Sequence, residues 1–186
     1  MIEVLETEFT YGDAPAGIVA SEVALEAGTS EVEAAAMLAA SWIQAETFCN
    51  RAFRPVETGK VIVKVAREQA YRWPRYPYPD GLTIEVYMNG SWLSHSETYI
   101  PSAGLVELVP WTLYRLTQTS TVTPPAPSAN VLQAVRNLAL YQMIQMPHRR
   151  EFKNQTAGDT SLTREGLQGL FWASGAGILL ASEVRQ

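Results

Sequence analysis

The chain has 186 residues, 47% of them hydrophobic and 18% charged, which is typical of a globular protein large enough to bury a core. Its single cysteine excludes an internal disulfide framework, and the N-terminus has neither the basic segment nor the apolar run of a secretory leader. The longest charge-free apolar stretch, residues 166–182, contains four glycines and is too short for a typical membrane span. We therefore expect no membrane segment.

The net charge of −5 is unevenly distributed along the chain. Residues 1–50 contain eight glutamates and Asp13 but no lysine or arginine, whereas residues 51–186 contain all 14 basic residues and the other ten acidic ones. One interpretation is a solvated acidic face, and the alternative is a contact between the acidic N-terminal region and the basic body of a second copy. The basic residues are too dispersed to predict a nucleic-acid-binding surface.

The first predicted long helix spans residues 30–54. Ser30 and Glu33 form a capping-box pattern at its start, and Pro55 ends it. Apolar residues recur at alternating spacings of three and four and predict one buried stripe: Ala35, Leu38, Trp42, Ala45, Cys49 and Ala52. A cysteine on such a stripe usually packs as a small hydrophobe, and the nearby arginine points to another side of the helix. We therefore interpret Cys49 as a core residue and not as a reactive thiolate.

Residues 58–123 are predicted to form an antiparallel β insertion of about four strands. The alternating sequence "KVIVKVA" is typical of a half-buried strand, and further strands are predicted in "LTIEVYM", "LVELV" and "YRLTQTS". Asn89–Gly90 favours a type I′ hairpin because both central residues of that turn need positive φ. The stretch "RWPRYPYPDG" is interpreted as a stiff connector whose aromatic rings lie over the sheet, with a docking loop as the alternative.

The second predicted long helix spans residues 129–147, and residues 148–186 contain a polar stretch, a short glycine-weakened helix and an apolar tail. The predicted buried face of this helix is Leu132, Val135, Ala139, Met143 and Met146, flanked by Leu138 and Gln142. We expect six residues of the two helices in the core: Leu38, Trp42, Cys49, Val135, Leu138 and Met143. With an N-terminal segment at residues 1–29, these parts predict a single α+β domain over residues 1–186, in which the long helices pack together and a small antiparallel sheet is inserted between them.

No combination of residues predicts a catalytic, metal or cofactor site. The two histidines, His95 and His148, lie on different elements, and with one cysteine they make no zinc pattern. The sequence contains no phosphate loop, dinucleotide fingerprint or nucleophile elbow. The basic cluster that begins at His148 is interpreted as the cationic end of the second helix, and it is too small to predict a phosphate site. We therefore predict no enzymatic activity and no cofactor.

The order of these parts, with three local patterns, resembles the head–tail connector (adaptor) family of long-tailed phages and gene transfer agents. The first helix of that family ends in a glutamate, an aromatic residue and an Asn/Gly–Arg pair, for which the matching residues here are Glu46, Phe48, Asn50 and Arg51. The sequence "WPRYPYP" is similar to the family's proline run, and Tyr99 to Leu108 resembles its tyrosine-containing strand. The resemblance covers residues 30–150, with departures at Thr119 to Thr121 and in the ending "GILLASEVR".

The resemblance implies a structural subunit that forms a ring, twelvefold in the family, docks on the portal protein and continues the DNA channel toward the tail. The implied partners are other copies, the portal, and a stopper or other tail-side neck protein; DNA passes through the lumen without specific binding, and no membrane is contacted. The implied location is the virion neck, after assembly in the bacterial cytoplasm. Two alternatives stay open: another neck component, such as a stopper or tail-completion protein, and a small enzyme or ligand-binding domain that uses residues 71–79.

Two sets of contacts are expected of such a subunit. Glu31 and Glu33 are expected on one side of a head-to-tail subunit interface, with basic residues on the other side: Arg51, Arg54 and Arg67. Seven apolar residues of the C-terminal region are expected to dock on the portal: Leu167, Leu170, Phe171, Trp172, Ile178, Leu179 and Leu180. The alternative for this region is that it folds back as a third core helix.

Overall fold

The computed structural model describes residues 2–67, 69–110, 112–144, 156–157, 160–161 and 167–185, and the chain has the predicted α+β fold. It forms two compact units, each assembled from two separate segments of the chain. The β unit comprises Met1–Asp13 and Arg54–Pro125, and the helical unit comprises Ala14–Phe53 and Ala126–Gln186. Organisation as a single domain over residues 1–186 stays a prediction.

The β unit contains two antiparallel sheets. Its strands are β1 (Ile2–Tyr11), β2 (Val56–Val65), β3 (Gln69–Arg72), β4 (Leu82–Met88), β5 (Ser91–Ser94), β6 (Tyr99–Ile100), β7 (Leu105–Leu108) and β8 (Thr112–Gln118). The larger sheet has the order β1-β2-β8-β4-β5, and the smaller one has the order β3-β7-β6. The insertion, predicted to have about four strands, thus supplies seven among its described residues, four in the larger sheet and three in the smaller one, and β1 is added from the N-terminal segment.

Alternation along the central strands creates the core of the β unit. On β2, Val61, Val63 and Val65 are fully buried, while Lys60 and Lys64 point to the opposite face of the sheet. Other strands of both sheets add to the same core: Ile84, Val86, Val106, Leu108, Tyr114 and Leu116. One face of the larger sheet is thus apolar, and the other carries charged side chains.

The sequence patterns do not predict β1, and the reason lies in its register. Ile2 and Val4 begin an apolar alternation that is broken at Leu5, where the pairing with β2 shifts between Val4 and Glu6. An extra residue in one strand of an antiparallel pair displaces the apolar period by one position. The alternation of period two that is typical of a strand is therefore interrupted in the sequence of β1.

The strands β4 and β5 form the predicted hairpin. Asn89 has φ 51° and Gly90 has φ 86°, as a type I′ turn requires. Met88 pairs with Ser91 directly beside the turn, and Tyr87 pairs with Trp92 one position further along the strands. The strand β5 forms one edge of the larger sheet, so this hairpin lies at the border of the β unit.

The proline-rich connector lies against the β core, as the sequence predicts. Trp73 is buried in that core, and Tyr78 packs against it. The Tyr99 hydroxyl donates a hydrogen bond to the carbonyl oxygen of Pro79 at 2.7 Å. Gly104 has φ 63° and faces the Tyr78 ring so closely that an added Cβ would collide with it. This turn therefore requires glycine.

The helical unit contains α1 (Ala20–Ala27), α2 (Glu31–Cys49), α3 (Ala129–Ile144), α4 (Leu167–Ala173), α5 (Ala176–Leu180), a 3₁₀ turn (Ala181–Glu183) and the two-residue strands β9 (Thr156–Ala157) and β10 (Thr160–Ser161). The long helices α2 and α3 pack together, as predicted, and α1 and α5 also pack against α3. The sequence patterns do not predict α1. Within the described parts of the chain, no helix has the length and apolarity needed to cross a bilayer.

Local hydrogen bonds set both ends of α2. The Glu33 N–H donates to the Ser30 hydroxyl, and the Ser30 N–H donates to the Glu33 carboxylate, which is the predicted capping box. Hydrogen bonds from the Thr29 hydroxyl and from Ser30 lower the pKa of the Glu33 carboxyl. At the other end, Asn50 adopts the left-handed conformation with φ 49° and stops the helix after Cys49, before the predicted proline stop.

The predicted helical core is largely confirmed. Five of its six residues are buried: Leu38, Trp42, Cys49, Val135 and Leu138. Met143 is only partly buried because it lies near the end of α3, and Met146 lies outside the described residues. The buried stripe of α2 begins at Ala34, and the predicted first member, Ala35, is exposed.

Candidate functional site

The end of α2 carries the pattern "ETFCNRAF", residues 46–53, whose polar groups fix the path of the chain after the helix. The Glu46 carboxylate is buried and accepts a hydrogen bond from the Phe53 N–H at 2.9 Å. The left-handed Asn50 and the following Arg51 donate their N–H groups to carbonyl oxygens of the last helical turn. Glu46 and Asn50, two of the residues that resemble the family pattern, therefore fix the backbone conformation at the end of α2.

The aromatic residue and the arginine of the same pattern hold the C-terminal segment, defined here as residues 167–185. The Phe48 ring stacks on the Phe171 ring with 4.3 Å between the centroids. The Arg51 guanidinium forms an ion pair with Glu183. Of the four residues that carry the resemblance, two thus shape the end of α2, and the other two, Phe48 and Arg51, contact the C-terminal segment.

Cys49 lies buried at this junction. Burial and the nearby Glu183 carboxylate raise the pKa of the Cys49 thiol to about 12, against an opposing effect of Arg51. The Cys49 carbonyl oxygen accepts a hydrogen bond from the Arg185 N–H at 2.9 Å. A thiol with so high a pKa is protonated at neutral pH and is a poor nucleophile. The interpretation of Cys49 as a core residue is confirmed.

The C-terminal segment belongs to the helical core, which corrects the expectation of a separate tail. Three of the seven expected docking residues are buried in the core that α2 and α3 form: Leu170, Phe171 and Leu180. Leu179 packs partly against this core, whereas Trp172 is 62% exposed and Ile178 is 71% exposed. The side chain of Leu167 lies outside the described part of the chain. The segment therefore takes the alternative conformation, folded back onto the helices, and docking on a portal stays a prediction.

A second apolar face of α2 points away from the core. We define the α2 outer face as Val32, Ala35, Ala36, Ala39 and Ile43. Val32 is 80% exposed and Ile43 is 53% exposed, and the three alanines between them are also exposed. A surface helix normally presents charged or polar residues on the side opposite its buried stripe. The α2 outer face is therefore a candidate interface with another protein surface.

The sequence analysis does not identify the α2 outer face, because the buried stripe on the other side of the helix accounts for the apolar periodicity. The available signal was the absence of charge, since the run "AAAMLAASWIQA", residues 34–45, contains no Asp, Glu, Lys or Arg. In a chain with 18% charged residues, a helical stretch of this length without any charge is expected to be covered by other protein surfaces on both of its sides.

An open groove of about 480 Å³ lies between α2 and α3, beside the α2 outer face. Ala36, Met37 and Ala40 form its α2 wall, while Gln142 and Met143 form its α3 wall. Two further residues complete its lining: Thr29 and Glu33. The groove is mostly apolar, and flexible methionines on both walls allow it to adapt to a partner's shape.

The charge asymmetry of the sequence is partly neutralised within the folded chain. Lys60 on β2 lies 2.8 Å from a carboxylate oxygen of Glu6 and 2.7 Å from one of Glu8, both on β1. The hydrogen bond from Lys60 lowers the pKa of the Glu8 carboxyl. Arg136 on α3 forms an ion pair with Glu26 on α1. Acidic residues of the N-terminal region therefore find basic partners in their own chain, which weakens the case for a charge-driven contact with a second copy.

The five residues predicted at the subunit interface occur in both units. Glu31 and Arg67 are exposed. The Glu33 carboxylate belongs to the capping box of α2, and Arg51 is used in the ion pair with the C-terminal segment. The Arg54 guanidinium carbon lies 4.7 Å from the centroid of an aromatic ring on β1. Their assignment to a subunit interface stays a prediction.

The aromatic loop at residues 71–79 contributes mainly to packing. Tyr71 and Trp73 are buried in the β core. The rings of Tyr76 and Tyr78 contact each other edge-on, with 5.3 Å between their centroids. Among the described residues, no three His, Cys, Asp or Glu side chains lie close enough to hold a metal ion. These contacts assign no catalytic role to the loop.

The fold is similar to that of a chain in a solved structure of the neck of an empty gene transfer agent particle, computed with C6 symmetry. The similarity has a TM-score of 0.53 and covers 91% of this chain and 95% of the other chain, at 13% sequence identity. At this level of identity, the likeness shows a shared fold. No protein-family model matches the chain, and no curated protein matches it.

Proposed function

We propose that this chain is a structural subunit of the neck of a phage-like particle. The observation that carries the proposal is the extent of the likeness, which covers 91% of this chain and 95% of a chain from a gene transfer agent neck. A shared fold by itself is a weak guide to function. The proposal gains independent support from the sequence resemblance to connector proteins, which rests on Glu46, Phe48, Asn50 and Arg51.

Within the neck, the resemblance favours the connector (adaptor) position. The chain would form a ring that docks on the portal protein and continues the DNA channel toward a stopper or other tail-side protein. A ring of twelve, as the family resemblance implies, is compatible with the C6 symmetry of the neighbour's neck because six divides twelve. The ring would be assembled in the bacterial cytoplasm and would act in the virion neck.

An assembly subunit needs apolar surface that is exposed in the single chain and covered in the particle. The α2 outer face is such a surface. The C-terminal segment offers another, because Trp172 and Ile178 project from elements that are themselves anchored in the core. We assign portal docking to these two side chains, and not to the buried members of the segment.

The lumen of such a ring must let DNA slide, and two cations of the sheet, Lys60 and Arg115, are suited to that task because carboxylates of the same chain pair with them. Arg115 donates two hydrogen bonds to Glu85, at 2.6 and 2.7 Å, and Lys60 is paired with β1. A cation that already has a partner adds little of the counterion-release affinity that holds duplex DNA. We expect duplex binding weaker than about 1 μM at physiological salt, measured by fluorescence anisotropy. Tighter binding would indicate a nucleic-acid-binding protein instead.

Negative-stain imaging of the purified protein, alone and mixed with the portal protein of the same particle, tests the proposed function. We expect rings with a central channel that stack coaxially on the portal. Replacing Trp172 and Ile178 by alanine should abolish stacking and preserve the rings. The matched control is Val184→Ala, an exposed residue of the same segment that should leave stacking unchanged. A chain that binds the connector but not the portal would be a stopper, and a chain that remains monomeric in every mixture would not be a ring component.

A further inference from the structure

The tip of the β4–β5 hairpin is apolar on both faces. The Tyr87 and Trp92 rings contact each other on one face, with 5.2 Å between their centroids. Met88 and Leu93 lie on the opposite face and are 52% and 48% exposed. No residue from Tyr87 to Ser94 is charged. A hairpin at the border of a sheet normally keeps one face polar, so this tip is suited to insertion between surfaces of another molecule.

The hairpin tip, defined as Tyr87, Met88, Trp92 and Leu93, is held in a fixed orientation. The Arg115 guanidinium carbon lies 4.6 Å from the centroid of the Trp92 ring. The same guanidinium binds the Glu85 carboxylate through two hydrogen bonds. Because these contacts and the type I′ turn fix the tip before it meets a partner, little conformational freedom is lost on binding.

The groove between α2 and α3 has the complementary properties. It is concave, its walls are mostly alanine and methionine, and it continues onto the α2 outer face through Ala36. Its α2 wall lies within the charge-free residues 34–45. The one charged lining residue, Glu33, is already engaged in the capping box of α2. A partner that brought charged groups against the alanine and methionine walls would bury them without counter-charges, which is costly. An uncharged apolar projection is therefore the favoured occupant.

We propose that the hairpin tip of one copy docks in the groove between α2 and α3 of the next copy. This contact rests on the proposed function, because a ring is closed by a heterologous interface in which each subunit contributes two different surfaces. The hairpin tip and the groove are two such surfaces on one chain, one projecting and one concave. The hairpin tip lacks charge, and the one charged residue that lines the groove, Glu33, already accepts hydrogen bonds from Thr29 and Ser30. The two surfaces therefore match each other better than either matches the charged outer face of the sheet. Tryptophan, tyrosine and methionine are also enriched in such contacts.

Disulfide trapping tests the contact directly. The variants Met88→Cys and Ala36→Cys, mixed under a mild oxidant, should give cross-linked dimers that neither variant gives alone. Native Cys49 is buried, so it can stay in place in both variants. The matched control is Ser102→Cys, in the exposed turn between β6 and β7, which should not cross-link to Ala36→Cys. Cross-linking of Ala36→Cys with itself would show paired α2 faces, and cross-linking of Met88→Cys with itself would show paired hairpins; either result would overturn the proposal.

Charge insertion tests whether assembly depends on this contact. Met88→Glu and Ala36→Glu should each raise the protein concentration needed for half-assembly by about tenfold or more, because each buries an unpaired carboxylate. Val109→Glu is the control, since Val109 is equally exposed in the β unit but lies outside both surfaces. If both charged variants assemble like the wild type, the contact is wrong and the proposed function stands. If the wild type itself never assembles, alone or with the portal, the proposed function fails as well.

Discussion

Replacing Leu180 by alanine tests whether the C-terminal segment belongs to the helical core. Leu180 is fully buried at the end of α5. Shortening a buried leucine to alanine removes its transfer free energy and leaves a cavity, which together cost about 2–5 kcal/mol. Ile178 lies two residues earlier and is 71% exposed, so Ile178→Ala should change the free energy of unfolding by no more than about 0.5 kcal/mol. Both substitutions introduce alanine, so the difference between their effects on the free energy of unfolding reports the contribution of burial at Leu180.

Chemical denaturation followed by circular dichroism at the helical band measures both free energies. A loss of about 3 kcal/mol in a cooperative unit of about 100 residues corresponds to a fall in Tm of roughly 12–24 °C, so a thermal scan provides a second readout. The helical unit has about this size, because it comprises Ala14–Phe53 and Ala126–Gln186. If Leu180→Ala is no more destabilising than Ile178→Ala, the segment does not pack in the core, and the expectation of a free docking tail would return.

Three further predictions concern α2. Burial keeps the Cys49 thiol protonated, with a pKa of about 12, so a thiol reagent at pH 8 should label it slowly in the native protein and rapidly in denaturant; rapid native labelling would contradict its burial. Ser30→Ala removes the capping box and should cost about 1 kcal/mol in chemical denaturation, whereas an unchanged stability would show that the cap is dispensable. Glu31→Lys tests the predicted charge contact between subunits, because it leaves the cap intact whereas Glu33→Lys would remove it. It should weaken assembly by less than about fivefold in sedimentation experiments at low salt. Assembly without any salt dependence would exclude this charge contact.

Features that depend on local sequence could be predicted. The capping box depends on Ser30 and on the glutamate three positions later, and the hairpin turn depends on the adjacent Asn89 and Gly90. The structure contains both features. The buried stripe of α2 also follows from local periodicity, although its first residue is Ala34. The α+β class follows from the change between helical and alternating patterns along the chain.

Features that depend on distant partners could not be predicted. The strand β1 is stabilised by pairing with β2, and its bulge hides the alternation that would have identified it. The contact between Phe48 and Phe171 and the ion pair between Arg51 and Glu183 join residues more than 120 positions apart. These contacts decide that the C-terminal segment is core, a question that local composition left open between two alternatives.

The partners of the acidic residues could not be predicted from the sequence for the same reason. The sequence separates an acidic N-terminal region from a basic remainder, but antiparallel pairing brings Glu6 and Glu8 beside Lys60. Packing of α1 on α3 likewise brings Glu26 beside Arg136. The surfaces that we propose for assembly are instead mainly apolar: the α2 outer face, the groove and the hairpin tip.

Locating the chain in intact particles tests the proposed neck function most directly. A small epitope tag after residue 186, detected with gold-labelled antibody by electron microscopy, marks its position in particles purified from the host. We predict labelling at the junction between head and tail, and loss of joined heads and tails when the gene is deleted. Labelling on the capsid shell or the tail tip, or the absence of the chain from particles that contain both parts, would contradict the proposed function.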